Sequence, residues 1–209
     1  MTTAYPLALP SLRQVKALTM RRTVAAAVSR SPFTYQRQAY LYPGEGWEAE
    51  VTLIPMKRAN YQAWNGFLLA LDGMVGTFLM GDPLQQAPRG AASLNAGTPV
   101  ADGVVSSGEL LPLRGLPNSV ANYLRAGDYI QRGSGASTRL HVVTQDVSTT
   151  ADGRATLTVR PRLRTATVDG EAIVLTAPQG IWSLVAPQHE WATDNQGLAS
   201  ITFSAREPL

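Results

Sequence analysis

The chain has 209 residues, 44% of them hydrophobic, a net charge of +3 and no cysteine. That length buries one large core or two small ones, and the composition excludes a disordered tail. The missing thiols exclude a disulfide scaffold, a thiolate metal site and a cysteine nucleophile, and no apolar run is long enough to span a membrane.

In chain order, residues 1–6 lack the basic and apolar regions of a signal peptide. The expectation is a protein made and used inside a cell, or in a particle assembled there. Residues 5–10 alternate prolines with apolar residues and predict an extended arm lying on something. The first 40 residues carry Arg13, Lys16, Arg21, Arg22, Arg30 and Arg37 and no acidic residue. Such a stripe could face nucleic acid, but without a nucleic-acid module pattern it reads better as a solvated face or a surface for a partner protein. Residues 13–28 alternate as a strand with a bend near 20–22, and Ser31-Pro32 marks a turn. Residues 35–42 form a second strand, and residues 43–46 (Pro-Gly-Glu-Gly) form a turn.

The organising stretch is 47–82. Trp47, Ala49, Val51 and Leu53 share one side of an extended segment, and Glu48, Glu50 and Thr52 share the other. Pro55 suits a helix start. Tyr61, Trp64, Leu68 and Leu71 then recur at helical spacing. Ala59, Ala63, Gly66 and Ala70 form a row of small residues that would let the helix lie close to a sheet. Gly73 fits a left-handed cap. Residues 75–80 return to strand, and Gly81-Asp82-Pro83 closes it.

After Pro83 the composition turns to Gly, Ala, Pro, Ser and Gln, which places a domain boundary near 85–89. Short strands are expected at 110–113, 129–131, 140–144, 155–159 and 172–175, with Asp152-Gly153 and Asp169-Gly170 as hairpin turns. Residues 120–124 read as a single helical turn or an irregular link. The pattern suggests a small closed or partly closed barrel of OB type. Residues 181–185 and 198–205 have no sheet to join in that barrel, so they are expected back in the first sheet. The domains are then 1–85 plus 180–209, with 86–179 inserted. The fold class is mainly β with one helix.

No catalytic constellation emerges. His141 sits in a strand and reads as structural; His189 has no histidine partner at ligand spacing. No nucleophile elbow, P-loop or dinucleotide fingerprint is present, and Gly133-Ser134-Gly135 is a flexible turn. Glu48 and Glu50, about 7 Å apart along a strand, could act as an acid/base pair, but the solvated face of a strand is the better reading. Asp146 and Asp152 flank a turn that could hold calcium, without the repeated Asp pattern such loops need. Arg154, Arg160, Arg162 and Arg164 form the densest basic cluster. Pro161 interrupts their strand and argues for an edge or bend. Arg160, Arg162 and Arg164 suit an inter-domain or partner contact. No catalytic, cofactor or metal site is expected.

Four pieces in order resemble the distal tail proteins of long-tailed bacteriophages, relatives of the lambda-type minor tail protein at the tail tip. They are WEAEVTLIP at 47–55, the helix ending FLL at 67–69, GTFLM at 76–80 with Asp82-Pro83, and ITFSARE at 201–207. The opening YPLALP at 5–10 is similar to the arm of relatives in phages of proteobacteria. The resemblance covers about the first 85 and last 30 residues well and the middle more loosely. It implies a tail-tube-like β-sandwich or barrel domain with an inserted OB-like barrel, and a hexameric ring around the DNA channel. Such a ring joins the tail tube to the baseplate hub, in a virion assembled in the host cytoplasm. DNA would pass through without specific binding, and nothing would enter a membrane. On that reading Arg13, Lys16, Arg21, Arg22 and Arg37 are candidate subunit-interface residues. The rival is a carbohydrate-binding module gripping host polysaccharide through Trp182, Tyr129 or Tyr123. A cell-wall glycosidase using Glu48 and Glu50 comes third.

Overall fold

The structure is a computed structural model and describes residues 3–187, 190–193 and 197–208. It is mainly β with a single α-helix among the described residues. In chain order the strands are β1 (Leu7–Ala8), β2 (Val15–Arg30), β3 (Arg37–Leu53), β4 (Met56–Lys57), β5 (Thr77–Met80), β6 (Val100–Ala101), β7 (Gly108–Arg114), β8 (Tyr129–Arg132), β9 (Arg139–Val143), β10 (Ala155–Leu163), β11 (Ile173–Val174), β12 (Gly180–Leu184), β13 (Glu190–Thr193) and β14 (Leu198–Arg206). The helix α1 spans Arg58–Ala70.

Two sheets form. The first runs β1-β5-β12-β14-β3-β2, with β4 and β13 added on β14; the second runs β11-β8-β9-β10-β7-β6. The chain leaves the first sheet at Met80 and re-enters it beside the exit, where Gly180 pairs with Met80. The Trp182 indole N–H donates to the Met80 carbonyl at 2.9 Å. A Cβ on Gly81 would lie 2.1 Å from the Pro178 carbonyl oxygen, so the outgoing and returning strands approach too closely for any side chain there.

The first core lies between this sheet and α1. Trp64, Phe67, Leu68 and Leu71 face Val51, Leu53, Phe78, Met80, Ile201 and Phe203. Rings meet edge-on at 5.5 Å for Phe67 and Phe78 and 5.8 Å for Trp64 and Phe67. Burying each such side chain contributes roughly 1.5–3 kcal/mol. The small row does not lie against the sheet. Ala59, Ala63 and Gly66 are exposed, and a Cβ on Gly66 would meet nothing within 4 Å. The bulky stripe is the one that gains from burial, and at 3.6 residues per turn it leaves the small row facing water.

The second sheet is nearly closed. Val100 bridges Ala172, Ile173 N–H donates to Pro99 O at 3.0 Å, and Ala101 N–H donates to Glu171 O at 2.9 Å, which brings the β6 and β11 borders together. Leu111, Leu113, Ile130, Val143, Leu157 and Val159 fill its interior with Tyr123 and Leu124. Residues 120–124 are an irregular link, with Asn122 at φ 50°. β10 runs on through Pro161: it leaves β7 after Thr158, pairs with β9 at Val159 and Arg160, and returns to β7 at Leu163.

Two features of the N-terminal half differ from the sequence reading. Residues 43–46 are not a turn, because β3 runs through them. The register passes from Val24↔Glu45 to Ala26↔Leu41, which leaves Tyr42, Pro43 and Gly44 opposite Ala25. This is a bulge, a strand position where a proline without an N–H breaks no ladder bond. The irregularities in β2 fall at 15–17 and 24–26, not at 20–22. The arm is bound to its own body: β1 pairs in parallel with β5, and the Tyr5 hydroxyl donates to Ala70 O at 2.7 Å.

Candidate assembly interface

β2 and β3 form one long hairpin with a root and a tip. Its turn is held by Ser31, whose carbonyl accepts from Tyr35 N–H at 3.0 Å and whose hydroxyl accepts from Phe33 and Thr34 N–H. Below the bulge the inward row of β3 is Glu45, Trp47, Ala49, Val51 and Leu53, all buried. Above the bulge both strands are exposed on both faces. β2, 16 residues long, is also a border of the sheet, with β3 as its one strand partner among the described residues. An uncovered strand edge of that length is a template for pairing with another chain.

The root is clamped by the barrel. The Trp47 indole N–H donates to Leu140 O at 2.8 Å, and its ring lies 6.2 Å from that of Tyr129. Around it sits a buried ionic lattice. Glu45, 2% exposed, accepts from Arg162 N–H at 3.3 Å and faces the Arg162 Nε at 3.4 Å. The Arg164 guanidinium reaches both the Glu45 carbonyl and the Glu207 carboxylate. Glu207 also accepts from Trp47 N–H at 3.3 Å and lies 3.8 Å from the Arg139 Nε. Burial pushes the Glu207 carboxyl up, against the pull of Arg164, Arg139 and the Trp47 N–H. Burial likewise lowers Arg139, which Glu207 counteracts. Stripping charges of water costs several kcal/mol each unless partners replace it; here Glu207 is met by Arg164, Arg139 and the Trp47 N–H, and Glu45 by the Arg162 N–H with the Arg162 guanidinium beside it.

Arg162 and Arg164 therefore cross from barrel to hairpin, whereas Arg160 pairs with Glu109 of the same sheet on its outer side. The basic residues of the N-terminal stretch do not share one face. Arg13 and Lys16 line a groove of about 660 Å³ with Leu12, Leu18, Asp82 and Leu84. Arg21 lies 3.6 Å from Glu50 in an exposed pair, which is worth little to stability. Arg22 is opposite Trp47, and Arg37 is at the tip opposite Arg30.

His141 is buried; its Nδ1 meets Pro161 O at 2.8 Å, and burial holds its pKa down to about 4. His189 lies outside the described residues. Asp146 accepts from Ala126 N–H at 2.8 Å, and Asp152 is exposed in its turn. Among the described residues no three His, Asp or Glu gather in a way that could hold a metal. Among the described residues no helix is long and apolar enough to cross a membrane. Trp182 and Tyr123 are 1% and 0% exposed and sit in the two cores, and Tyr129 is packed beside Trp47, so these rings offer no platform to a sugar. Glu48 and Glu50 lie exposed on the outer face of β3, with Arg21 against Glu50.

Glu45 and Glu207 escaped the sequence reading, yet the signal was present. Both continue an inward period-two row by one step, Glu45 before Trp47 and Glu207 after Ala205. A carboxylate in a core register calls for a buried cation. No protein-family model matches the chain, and no curated protein matches it.

Proposed function

We propose that this chain is a structural subunit of a phage tail tip, building a hexameric ring between the tail tube and the baseplate hub around the DNA channel. The body sheet is read as a tail-tube-like domain and the barrel as an inserted OB-like lobe. The observation that carries the reading is the free border of β2: a 16-residue strand with one neighbour, at the end of a sheet whose other border is the two-residue β1. In a ring each border meets the next copy, and closure removes the exposed edges. The clamp at Trp47, Glu45 and Glu207 supports it, because a ring strand must leave the body at a fixed angle. Ring copy number, the tube and hub as partners, and the place in the virion come from the resemblance.

The test is the mass of the purified and of the in-particle assembly, with negative-stain images. A ring of identical copies supports the proposal; a stable monomer with no ring in the particle overturns it. Reversing Arg21 and Arg22 to Glu is expected to block tail completion while the isolated subunit stays folded, and normal tails from that double variant would remove the role of those arginines at the interface.

A further inference from the structure

The tip of the hairpin is built unlike the rest of the surface. Beyond the bulge the ribbon exposes Val28 (57%), Phe33 (91%), Tyr35 (67%) and Tyr40 (65%). Tyr40 and Tyr42 stack edge-on at 4.8 Å along one exposed face. Arg30 and Arg37 are direct cross-strand partners. Like charges set opposite each other weaken a ladder, and no carboxylate lies between Thr23 and Gly44 to offset them. The one relief is local: the Arg30 guanidinium stands 4.7 Å over the Tyr35 ring, and its Nε donates to Tyr35 O at 3.3 Å. The nearest carboxylate in sequence, Glu45, is held by Arg162 of the barrel. Two-stranded ribbons are marginal in water on their own, so this one carries an apolar and doubly cationic end at a cost to itself.

We infer that the hairpin tip docks into an acidic, apolar-lined recess of a different protein. Arginine and tyrosine beside exposed apolar groups are the composition of an interface centre, and the Arg30–Arg37 pair, relieved within the chain only through Tyr35, is matched by anionic groups. A second copy of this chain is the poorer fit. Tip-to-tip contact would bring more arginines together, and the exposed carboxylates Glu50 and Asp169 are already engaged by Arg21 and Arg114. A nucleic acid is disfavoured by two cations against six exposed apolar or aromatic side chains, Val28, Phe33, Tyr35, Tyr40, Leu41 and Tyr42.

The inference needs no ring, and its test separates the two. A photo-crosslinking phenylalanine at Phe33, in the full chain expressed in the cells that make it, reports what lies against the tip. The expected result is a crosslinked peptide of another protein with at least two Asp or Glu within a few residues of the attachment point. The yield should fall at least tenfold when Arg30→Glu and Arg37→Glu are combined. That pair keeps the cross-strand repulsion with its sign reversed while giving up the Arg30 contacts to Tyr35, and unchanged circular dichroism shows the fold is retained. Crosslinks to this same chain, to nucleic acid or to a peptide without carboxylates overturn the inference, as does no crosslink at all or a yield indifferent to the reversal. Native mass spectrometry of the same sample reads the ring separately: a ring without the crosslink sinks only the docking, and the crosslink without a ring sinks only the ring.

Discussion

The two halves of the β2–β3 hairpin share one ladder and have opposite surroundings. At the root Trp47 is 8% exposed, bonded through its indole to the barrel, and ringed by Glu45, Glu207 and three arginines. At the tip Phe33 is 91% exposed and touches no core. The ladder bonds alone do not distinguish the halves; what surrounds them does. The root is part of the folded body, and the tip is surface held out on it.

The comparison breaks most sharply by exchanging aromatic rings for alanine. Trp47→Ala removes a buried ring and leaves the Leu140 carbonyl unmet, and is expected to cost about 3–5 kcal/mol. Phe33→Ala at the tip is expected to stay within about 0.5 kcal/mol. Urea titration of both variants measures the contrast, and similar losses would mean that the tip is packed after all. Next comes the lattice. Glu45→Ala leaves the Arg162 guanidinium half-buried without its carboxylate, and is expected to cost roughly 3 kcal/mol. Glu45→Gln keeps an acceptor for the Arg162 N–H and is expected to cost less. If the two variants lose the same amount, the charge is not what matters at that position.

Much of this was legible in the sequence. The 3.6-residue stripe of Trp64, Leu68 and Leu71 predicts α1 and its buried face. The alternation from Trp47 to Leu53 gives the inner half of β3, and the segments 181–185 and 198–205 return to the same sheet in β12 and β14. What was not legible depends on partners far apart in the chain. Pro43 reads as a turn because proline ends most strands; it is a bulge here because Ala25, on the other strand, absorbs the extra residues. The Glu45–Arg162 and Glu207–Arg164 pairs join residues separated by more than 40 positions, so no local spacing announces them. The small row on α1 misled because closeness to a sheet is one use of small residues and indifference to solvent is another.

His141 sharpens the comparison from the barrel side of the root. It is surrounded by Arg132, Arg139 and Arg164, its Nδ1 is bonded to Pro161 O, and burial holds it to about 4. That lies below the ~6.5 of an imidazole in an unfolded chain. As pH falls the unfolded chain takes up this proton first. The contribution is therefore complete above about pH 6.5, shrinks as pH falls toward 4, and stops changing below it, with at most about 3 kcal/mol at stake. Glu207 works in the opposite sense, since burial raises it and the native form takes up its proton first. Denaturant midpoints of the parent and His141→Gln at pH 7.5, 5.5 and 4 separate the two. The variant is expected to lose the imidazole's share of the decline; an unchanged slope would place the acid sensitivity elsewhere.

The smallest expected effect is at the tip, and its sign is the informative part. Arg37→Glu turns the like pair with Arg30 into an opposite pair, which should strengthen the ribbon by about 0.2–1 kcal/mol. Slower amide exchange at Val28 and Ala39 would register it while exchange at Val51 stays the same, because the root is held by the barrel and the tip by its ladder and its own turn. A single substitution that steadies the hairpin was open to this sequence and is not what stands there. If the tip serves a partner, the same substitution should weaken the Phe33 crosslink, so that stability and docking move in opposite directions. Should exchange slow and the crosslink persist, the arginine pair is a local imperfection and the apolar tip alone carries whatever contact exists.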